Sequence, residues 1–583
     1  MPAAGPGSPG TGSPRGAANE DGLLALGDAI QQRQTGNPPR RSRRRRRHWV
    51  RWTVIGAGSL VLLLVLAVVA LYLYLGSLPT YTKVNGLQTA GKTENILLVG
   101  STNRCAKGEK PNPMYGLCTS GVTGVNSDIV MVVHLNPNTH SAALLSIPRD
   151  LFEPNARQGA QANKIDAALY QGPSQLAAAV EEDFGIPINH FIELNFTTFA
   201  NVVDAVGGID MYFPMKVFDA ESSLHIERPG CYHLNGIHAL EVVRARHLQI
   251  DLHPAVDGTN PRLWPQEPQS DLARIRRTHE FLRIVAAKIA SISGIGSPGT
   301  DLSLATTILP DLTVDNNFAE SHMLSLAETY HSTQISNVPQ LTYPVVLNFS
   351  DPQNAYSYIY KGGFYGDVEF PVQPGGWQTV DSIFGVTPGF SPWNGQPLPP
   401  ASAFHVAVVN GTGIANQQAT IAAQLTHKGF HVTSTGVRTP VGTTSETVVW
   451  YGGPPPPANA DWHSASLEAA LRVMTVLQGP VTLGYDPAMV AHGTMVTVQT
   501  GSDISVATRD WTAPPTTTTT SSSTSSTTGP PTSSTVPHVT PSTVLDPPGL
   551  NNDGNFSHPS TTASPLMPWD PRACSPAQPI INR

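Results

Sequence analysis

The apolar run LLSIP at residues 144–148 ends in Arg149 and Asp150. An arginine at the end of a buried strand keeps its charge, so it requires an internal carboxylate or a bound anion as partner. Other arginines raise the same question. In VVRARH, Arg244 and Arg246 stand two apart and share a face if that segment is extended. In SDLARIRRTHEF, Arg274 and Arg277 stand three apart, on one face of a helix. They fall in its first two turns, where the macrodipole favours anions over cations. Arg104 follows the first apolar strand closely enough to join them. Guanidinium groups converging on one pocket suit a phosphate or pyrophosphate, because each can bind two oxygens at once. A pyrophosphate commonly brings Mg²⁺, which takes one or two carboxylates and fills its shell with water and phosphate oxygens. Asp128, opening an apolar run, is the candidate metal ligand; its spacing alone suits a turn residue equally. Asp150 and Asp271 adjoin the arginines and serve either as general base or as orienting groups.

Positioning these residues requires strands interleaved with helices. ENILLVG (94–100) reads as a buried strand, and SDIVMVVHLNPNTHSAALLSIPRD as a hairpin with strands near 128–135 and 141–147 joined by Asn-Pro-Asn. A helix is expected over 173–184, ending at Gly185, and FTTFANVVDAVGG is a helix between the strands FIELN and IDMYF. The helix beginning SDLARIRR has Ser270 as its N-cap candidate, with Leu272, Ile275, Leu282 and Val285 as its buried stripe. The pattern is a layered α/β domain with a largely buried sheet, spanning 90–385. Residues 386–402 read as a linker, 403–503 as a second, small α/β domain, and 513–583 as a Thr/Ser/Pro-rich disordered tail.

The chain of 583 residues is too long for one core. Its formal charge of −7 is unevenly spread. Residues 1–52 hold 10 of the 35 Lys and Arg and 3 of the 42 Asp and Glu, leaving 25 basic against 39 acidic residues, or −14, for the remainder. That remainder repels nucleic acid as a whole, so any anion must be held by a local cluster. Residues 1–52 read as a disordered basic segment. Residues 53–75 carry no charge and have the length of a membrane-crossing helix, and the arginine run before them keeps that side cytoplasmic. The expectation is a single-pass anchor in the cytoplasmic membrane, with the rest of the chain on the wall side. Of the four cysteines, Cys105 and Cys118 flank a Gly/Pro/Asn loop, where a disulfide is expected in an oxidising compartment. The pairing of Cys231 and Cys574 is left open.

The motifs NILLVGS, SDIVMVVHLNP, LLSIPRD, NKIDAALYQG, FIELNFTTFANVVDAVGGID, HALEVVRARH and SDLARIRRTHEFL occur in the order found in LytR-CpsA-Psr proteins, and residues 94–290 resemble that family. Residues 403–503, with VAVVNGTG and KGF, resemble the LytR C-terminal-type domain. Composition and layout look actinobacterial. The resemblance implies a mixed central sheet covered by helices on both faces, with an apolar pocket for a polyprenyl chain. It implies a phosphotransferase that attaches a polyprenyl-pyrophosphate-linked glycan, arabinogalactan being the leading guess, to peptidoglycan through a phosphodiester. By motif, Arg149, Arg244, Arg246, Arg274 and Arg277 would grip the pyrophosphate and Asp128 would hold Mg²⁺. Two departures stand out. Thr102 occupies the place of the family's usual second metal aspartate, and Thr278 and His279 replace glutamines that commonly follow the last arginine. A polyprenyl-pyrophosphate pyrophosphatase and a non-catalytic lipid-binding carrier or regulator are the competing readings.

Overall fold

The structure is a computed structural model. It describes, in the main, residues 79–106, 116–157, 161–267, 270–291, 309–330, 338–347, 358–384, 396–437, 446–453, 464–507 and 564–583. The basic segment 1–52, the apolar segment 53–75 and nearly all of 508–563 lie outside the described residues. Among the described residues no helix is long and apolar enough to cross a membrane.

Alternating apolar residues build a seven-stranded mixed sheet. Its strands are β1 (Thr80–Thr82), β2 (Glu94–Ser101), β3 (Ser127–Asn136), β4 (Ser141–Ile147), β5 (His190–Leu194), β6 (Thr313–Asp315) and β7 (Gln340–Thr342), in the order β1-β6-β5-β2-β3-β4-β7. The strands β2, β3 and β4 form an antiparallel meander, while β5 joins β2 in parallel. The period of two sends Leu97, Val99, Val130, Val132 and Leu145 to one face. There they meet Leu176, Ala179, Val180 and Phe184 of helix α1 (Pro173–Phe184). Leu97, Val99 and Val132 are wholly buried, each worth about 1.5–3 kcal/mol. The other face, with Leu98, Ile129 and Met131, is covered by helices α2 (Phe196–Ala205), α3 (Gly236–Arg244) and α4 (Ser270–Ser291). Further along that face, α5 (Glu320–Tyr330) packs over Ile96 and Val314.

Local chemistry sets the helix ends. The side chains of Asn195 and Asn235 cap α2 and α3, accepting from the amides of Thr198 (2.8 Å) and His238 (3.0 Å). A Cβ on Gly236 would collide with the Ala200 backbone, so the close approach of α2 and α3 requires glycine there. Ser270 enters α4 at φ 29°, in the left-handed region rather than the extended conformation of an ordinary N-cap.

One boundary differs from the sequence reading, and another is bridged by a shared sheet. The small domain at 403–503 does not stand apart from the domain before it. Its sheet of His431–Val437, His405–Asn410, Val496–Thr500, Thr447–Tyr451 and Leu477–Tyr485 continues into Glu369–Gln373 and Val345–Leu347 from the preceding domain. Tyr451 reaches across to Asn155, donating to its side-chain oxygen at 3.3 Å. The tail is not disordered to its end. Residues 564–583 dock on the first domain, where Arg572–Ala573 pairs with Ile209–Phe213 and Ile580–Asn582 with Gly230–Leu234. Cys231 is joined to Cys574, and Cys105 to Cys118. This stretch is still proline-rich, but it also carries Trp569, Cys574 and Ile581, which attach it to the first domain.

Candidate active site

The cleft forms where β2 ends and β3 begins, where the chain leaves β4 and α3, and at the start of α4. Thr102, Arg104, Asp128, Arg149, Glu221, Arg244, Arg246 and Arg274 line it, around a volume of about 330 Å³. Five of the six arginines singled out by sequence therefore meet. Arg149 divides its guanidinium between Asp128 and Asp166, the latter at 2.7 Å. Burial works against the Arg149 charge, but Asp128, Asp166 and Asp150 more than offset it and raise its pKa. Arg246 donates to Asp150 at 2.8 Å, and Lys164 donates to the other Asp150 oxygen at the same distance. Asp271 pairs with Arg274 at 2.8 Å and approaches Arg246 at 3.6 Å.

Asp150 and Asp271 thus lie beneath the arginines and do not line the cleft. Both are buried, at 4% and 3% exposure. Burial would raise the pKa of Asp150, yet Arg149, Arg246 and Lys164 carry it below the ordinary value. These two carboxylates hold guanidinium groups in position, which leaves them poorly placed to receive a proton from a substrate. Asp166, pushed up to about 6 by burial and held back by Arg149, completes the underlying acidic layer.

The arginines retain binding capacity. The Nε atoms of Arg149, Arg246 and Arg274 are buried and have no hydrogen-bond acceptor among the described residues. Those of Arg149 and Arg246 face Asp150 at 3.8 Å and Asp271 at 3.6 Å on the carboxylate side, while the same side chains line the cleft, where an anion would meet them. Arg104 and Arg244 lie over the Phe196 ring, at 5.5 and 4.7 Å from its centroid, which fixes both at the mouth of α2.

Arg277 departs from the expectation. It is fully buried, paired with Glu267, and donates to the Ala245 carbonyl at 2.5 Å. Three residues along a helix leave two side chains about 60° apart. Arg274 falls on the cleft side of that angle and Arg277 on the side of the 245 turn. Arg277 therefore braces the turn that carries Arg244 and Arg246. The VRAR segment is also not a continuous extended run: Arg244 ends α3, and the backbone turns extended at Ala245.

An apolar slot adjoins the cleft between the sheet and α2, α3 and α4. Leu98, Ile129, Met131, Phe199, Leu240, Val243, Phe281 and Leu282 line it, and Asp128, Arg244 and Arg274 belong to both spaces. At about 80 Å³ the slot is narrow, so a long apolar chain would have to part the helices. Thr278 lines it with its hydroxyl donated to the Arg274 carbonyl at 2.9 Å. His279 instead bonds Ser146 of β4 at 2.7 Å, and burial lowers its pKa to about 3, so it is a neutral link between α4 and the sheet.

Asp128 fits a single-carboxylate Mg²⁺ site, being partly exposed at the cleft wall where phosphate oxygens and water could complete the shell. Thr102 does not replace a second carboxylate: its hydroxyl accepts from the Asn126 amide at 2.9 Å and is nearly buried. Sequence reasoning assigned no role to Lys164, Asp166 or Glu267, although NKID was among the recognised motifs.

Residues 77–365 match the LytR_cpsA_psr family, and residues 403–503 match LytR_C, described as LytR cell envelope-related transcriptional attenuator. The polyisoprenyl-teichoic acid–peptidoglycan teichoic acid transferase TagU of Bacillus mycoides is 31% identical over 240 residues, 40% of this chain and 66% of the relative. The probable cell wall biosynthesis protein LcpB of Corynebacterium glutamicum is 33% identical over 248 residues, 41% of this chain and 52% of the relative. The chain thus spans about two thirds and about half of these two relatives. Among solved structures, a LytR-Csp2A-Psr enzyme from Actinomyces oris is similar at 22% identity and a TM-score of 0.37, covering 46% of this chain and 88% of that one.

Proposed function

Because the chain belongs to the LytR-CpsA-Psr family, we propose that it transfers a glycan from a polyprenyl pyrophosphate carrier to peptidoglycan, forming a phosphodiester. The observation that carries this reading is the junction of the arginine cleft with the apolar slot through Asp128, Arg244 and Arg274. A pyrophosphate joined to an isoprenoid has that chemistry: two phosphates for guanidinium groups and an apolar chain beside them.

In the proposed reaction a peptidoglycan hydroxyl, on muramic acid, attacks the sugar-linked phosphorus. The bond from that phosphorus to the bridging oxygen breaks and polyprenyl phosphate leaves. Phosphoryl transfer through a loose transition state depends on positioning and charge stabilisation more than on a base. That suits a cleft in which Arg149, Arg246 and Arg274 present donors and their carboxylates sit behind them. Asp128 would hold Mg²⁺, which when bound would add charge neutralisation at the phosphates.

For the polymer we take arabinogalactan, supported by the chain's actinobacterial composition and its likeness to the Corynebacterium relative. We further read residues 53–75 as an anchor in the cytoplasmic membrane that places the cleft on the wall side. Two disulfides support an oxidising exterior. A water molecule in place of the peptidoglycan hydroxyl would make the same site a pyrophosphatase. Full-length protein, Mg²⁺, labelled lipid-linked glycan and purified sacculi separate the two. Label covalently retained on the sacculi is expected. Polyprenyl phosphate released with no retained label would refute transfer, and intact bound lipid would point to a carrier.

A further inference from the structure

A second cluster of ligating side chains lies at the far end of β2, away from the arginine cleft. Glu94 opens β2, His190 opens β5, and His322 lies in the first turn of α5. Glu94 is 3% exposed and has no lysine or arginine partner among the described residues. Its Oε2 lies 2.8 Å from His322 Nε2. Its Oε1 lies 3.5 Å from His190 Nε2 and receives no hydrogen bond among the described residues.

The orientation of His190 gives that gap its meaning. Its Nδ1 faces Asp315 Oδ2 at 3.1 Å. Asp315 is fully buried and accepts from the amides of Phe191 (3.0 Å) and Asn317 (2.9 Å). A carboxylate so held makes Nδ1 the donor, so in the neutral ring Nε2 presents a lone pair toward Glu94. Two acceptors then face each other across 3.5 Å, longer than a charged hydrogen bond. Ligand atoms about 2.1 Å from a tetrahedral ion stand about 3.4 Å apart. Ligand atoms from the three residues all lie within 4.8 Å of one another. Asp315 behind His190 completes the carboxylate–histidine pairing that orients metal-bound imidazoles.

We propose that Glu94, His190 and His322 bind a divalent transition-metal ion of the zinc class. Two imidazoles with one carboxylate suit zinc better than magnesium or calcium, which take oxygen ligands. The His322 side chain is 42% exposed, so a fourth position opens to water. The ion would fasten α5 to the ends of β2 and β5. Helix α5 has little else to hold it, since none of its residues is buried and only Met323, Leu326 and Tyr330 pack on the core beneath. This site is independent of the transferase reading.

The test uses full-length, tag-free protein in detergent, stripped with a chelator and kept in Mg²⁺. Titration calorimetry with Zn²⁺ alone is expected to show one tight equivalent that raises the melting temperature. His322→Ala, at a half-exposed position, should weaken that binding at least tenfold and remove the thermal shift, and Glu94→Gln should do the same. Asp128→Ala, in the other cleft, should bind Zn²⁺ as the wild type does. Absence of Zn²⁺ binding by the wild type would overturn the proposal, and a proton shared by His190 with Glu94 and Asp315 would then explain the cluster. Equal affinity in wild type and His322→Ala would overturn it as well. If Glu94→Gln fails to fold, His322→Ala decides.

Discussion

Asp570→Ala removes a carboxylate from a guanidinium that is almost out of contact with solvent. Arg276 is 1% exposed, and Asp570 meets its Nε at 2.6 Å and its terminal nitrogen at 3.3 Å. Without Asp570 the nearby carboxylate is Glu267, which already serves Arg277 and the Trp569 indole. Breaking a buried ion pair from one side costs about 3–5 kcal/mol. Undocking residues 564–583 would let water reach Arg276 and cap that cost, but the Cys231–Cys574 bond opposes undocking. The expected loss is therefore about 3 kcal/mol under oxidising conditions, a fall in Tm of about 3–5 °C for a unit of this size. Reductant should lower the variant's Tm further than it lowers the wild type's, because the segment then loses both attachments. Arg276 lies two residues from Arg274 on α4, so release should also slow turnover. A displacement of about 1 Å at a positioning group can cost about 100-fold. The assay is a melting curve and a turnover measurement on both proteins, with and without reductant. Wild-type behaviour of Asp570→Ala in both conditions would refute the view that this C-terminal segment is a working part of the first domain.

Three further outcomes follow from the geometry. Arg149→Ala should lower turnover by about 10²–10³-fold, since one fixed donor at a developing charge is worth that much, and Arg149→Lys should recover little of it because an ammonium cannot span Asp128 and Asp166. Paired activity and circular dichroism measurements check this. Leu282→Trp should fill the apolar slot and raise KM for a lipid-linked substrate about tenfold, while binding of a short pyrophosphate analogue by calorimetry stays unchanged. Asp183 is pushed from 3.8 up to about 8 by burial, partly offset by its bond from Asn155. Its proton is held in the folded state and released by the unfolded chain. That stability is full below about pH 4 and is lost as pH rises toward 8, at up to ~1.4 kcal/mol per pH unit. Denaturant titrations from pH 5 to 8 should show Asp183→Asn with a flatter profile than the wild type.

The fold was legible where apolar period and punctuation agreed. The strands 94–100, 128–135 and 141–147 and the helix 173–184 match the observed elements within a residue or two. Convergence of Arg104, Arg149, Arg244, Arg246 and Arg274 could be inferred because charge at the ends of buried elements has few other uses. Arg277 could not be separated from Arg274 by spacing, since a 60° difference on one helix face decides between cleft and interior. The roles of Asp150 and Asp271 depend on depth, which sequence neighbours do not reveal. The docked segment 564–583 was concealed by the Thr/Ser/Pro stretch before it, and its apolar and Cys residues are too few to declare a domain. His190 and His322 lie 132 positions apart and Glu94 a further 96 positions away, so only β2–β5 pairing and α5 bring them together.

On the proposed function, the guanidinium cleft beside the apolar slot joins a lipid-linked glycan to peptidoglycan. Mass spectrometry of muramidase-digested sacculi, after incubation with full-length protein, Mg²⁺ and polyprenyl-pyrophosphate-linked galactan or arabinogalactan, reads the product. A muramic acid 6-phosphodiester bearing the glycan should form with the wild type and be lost with folded Arg149→Ala. The same product formed by Arg149→Ala, or polyprenyl phosphate released by the wild type without any joined product, would contradict it.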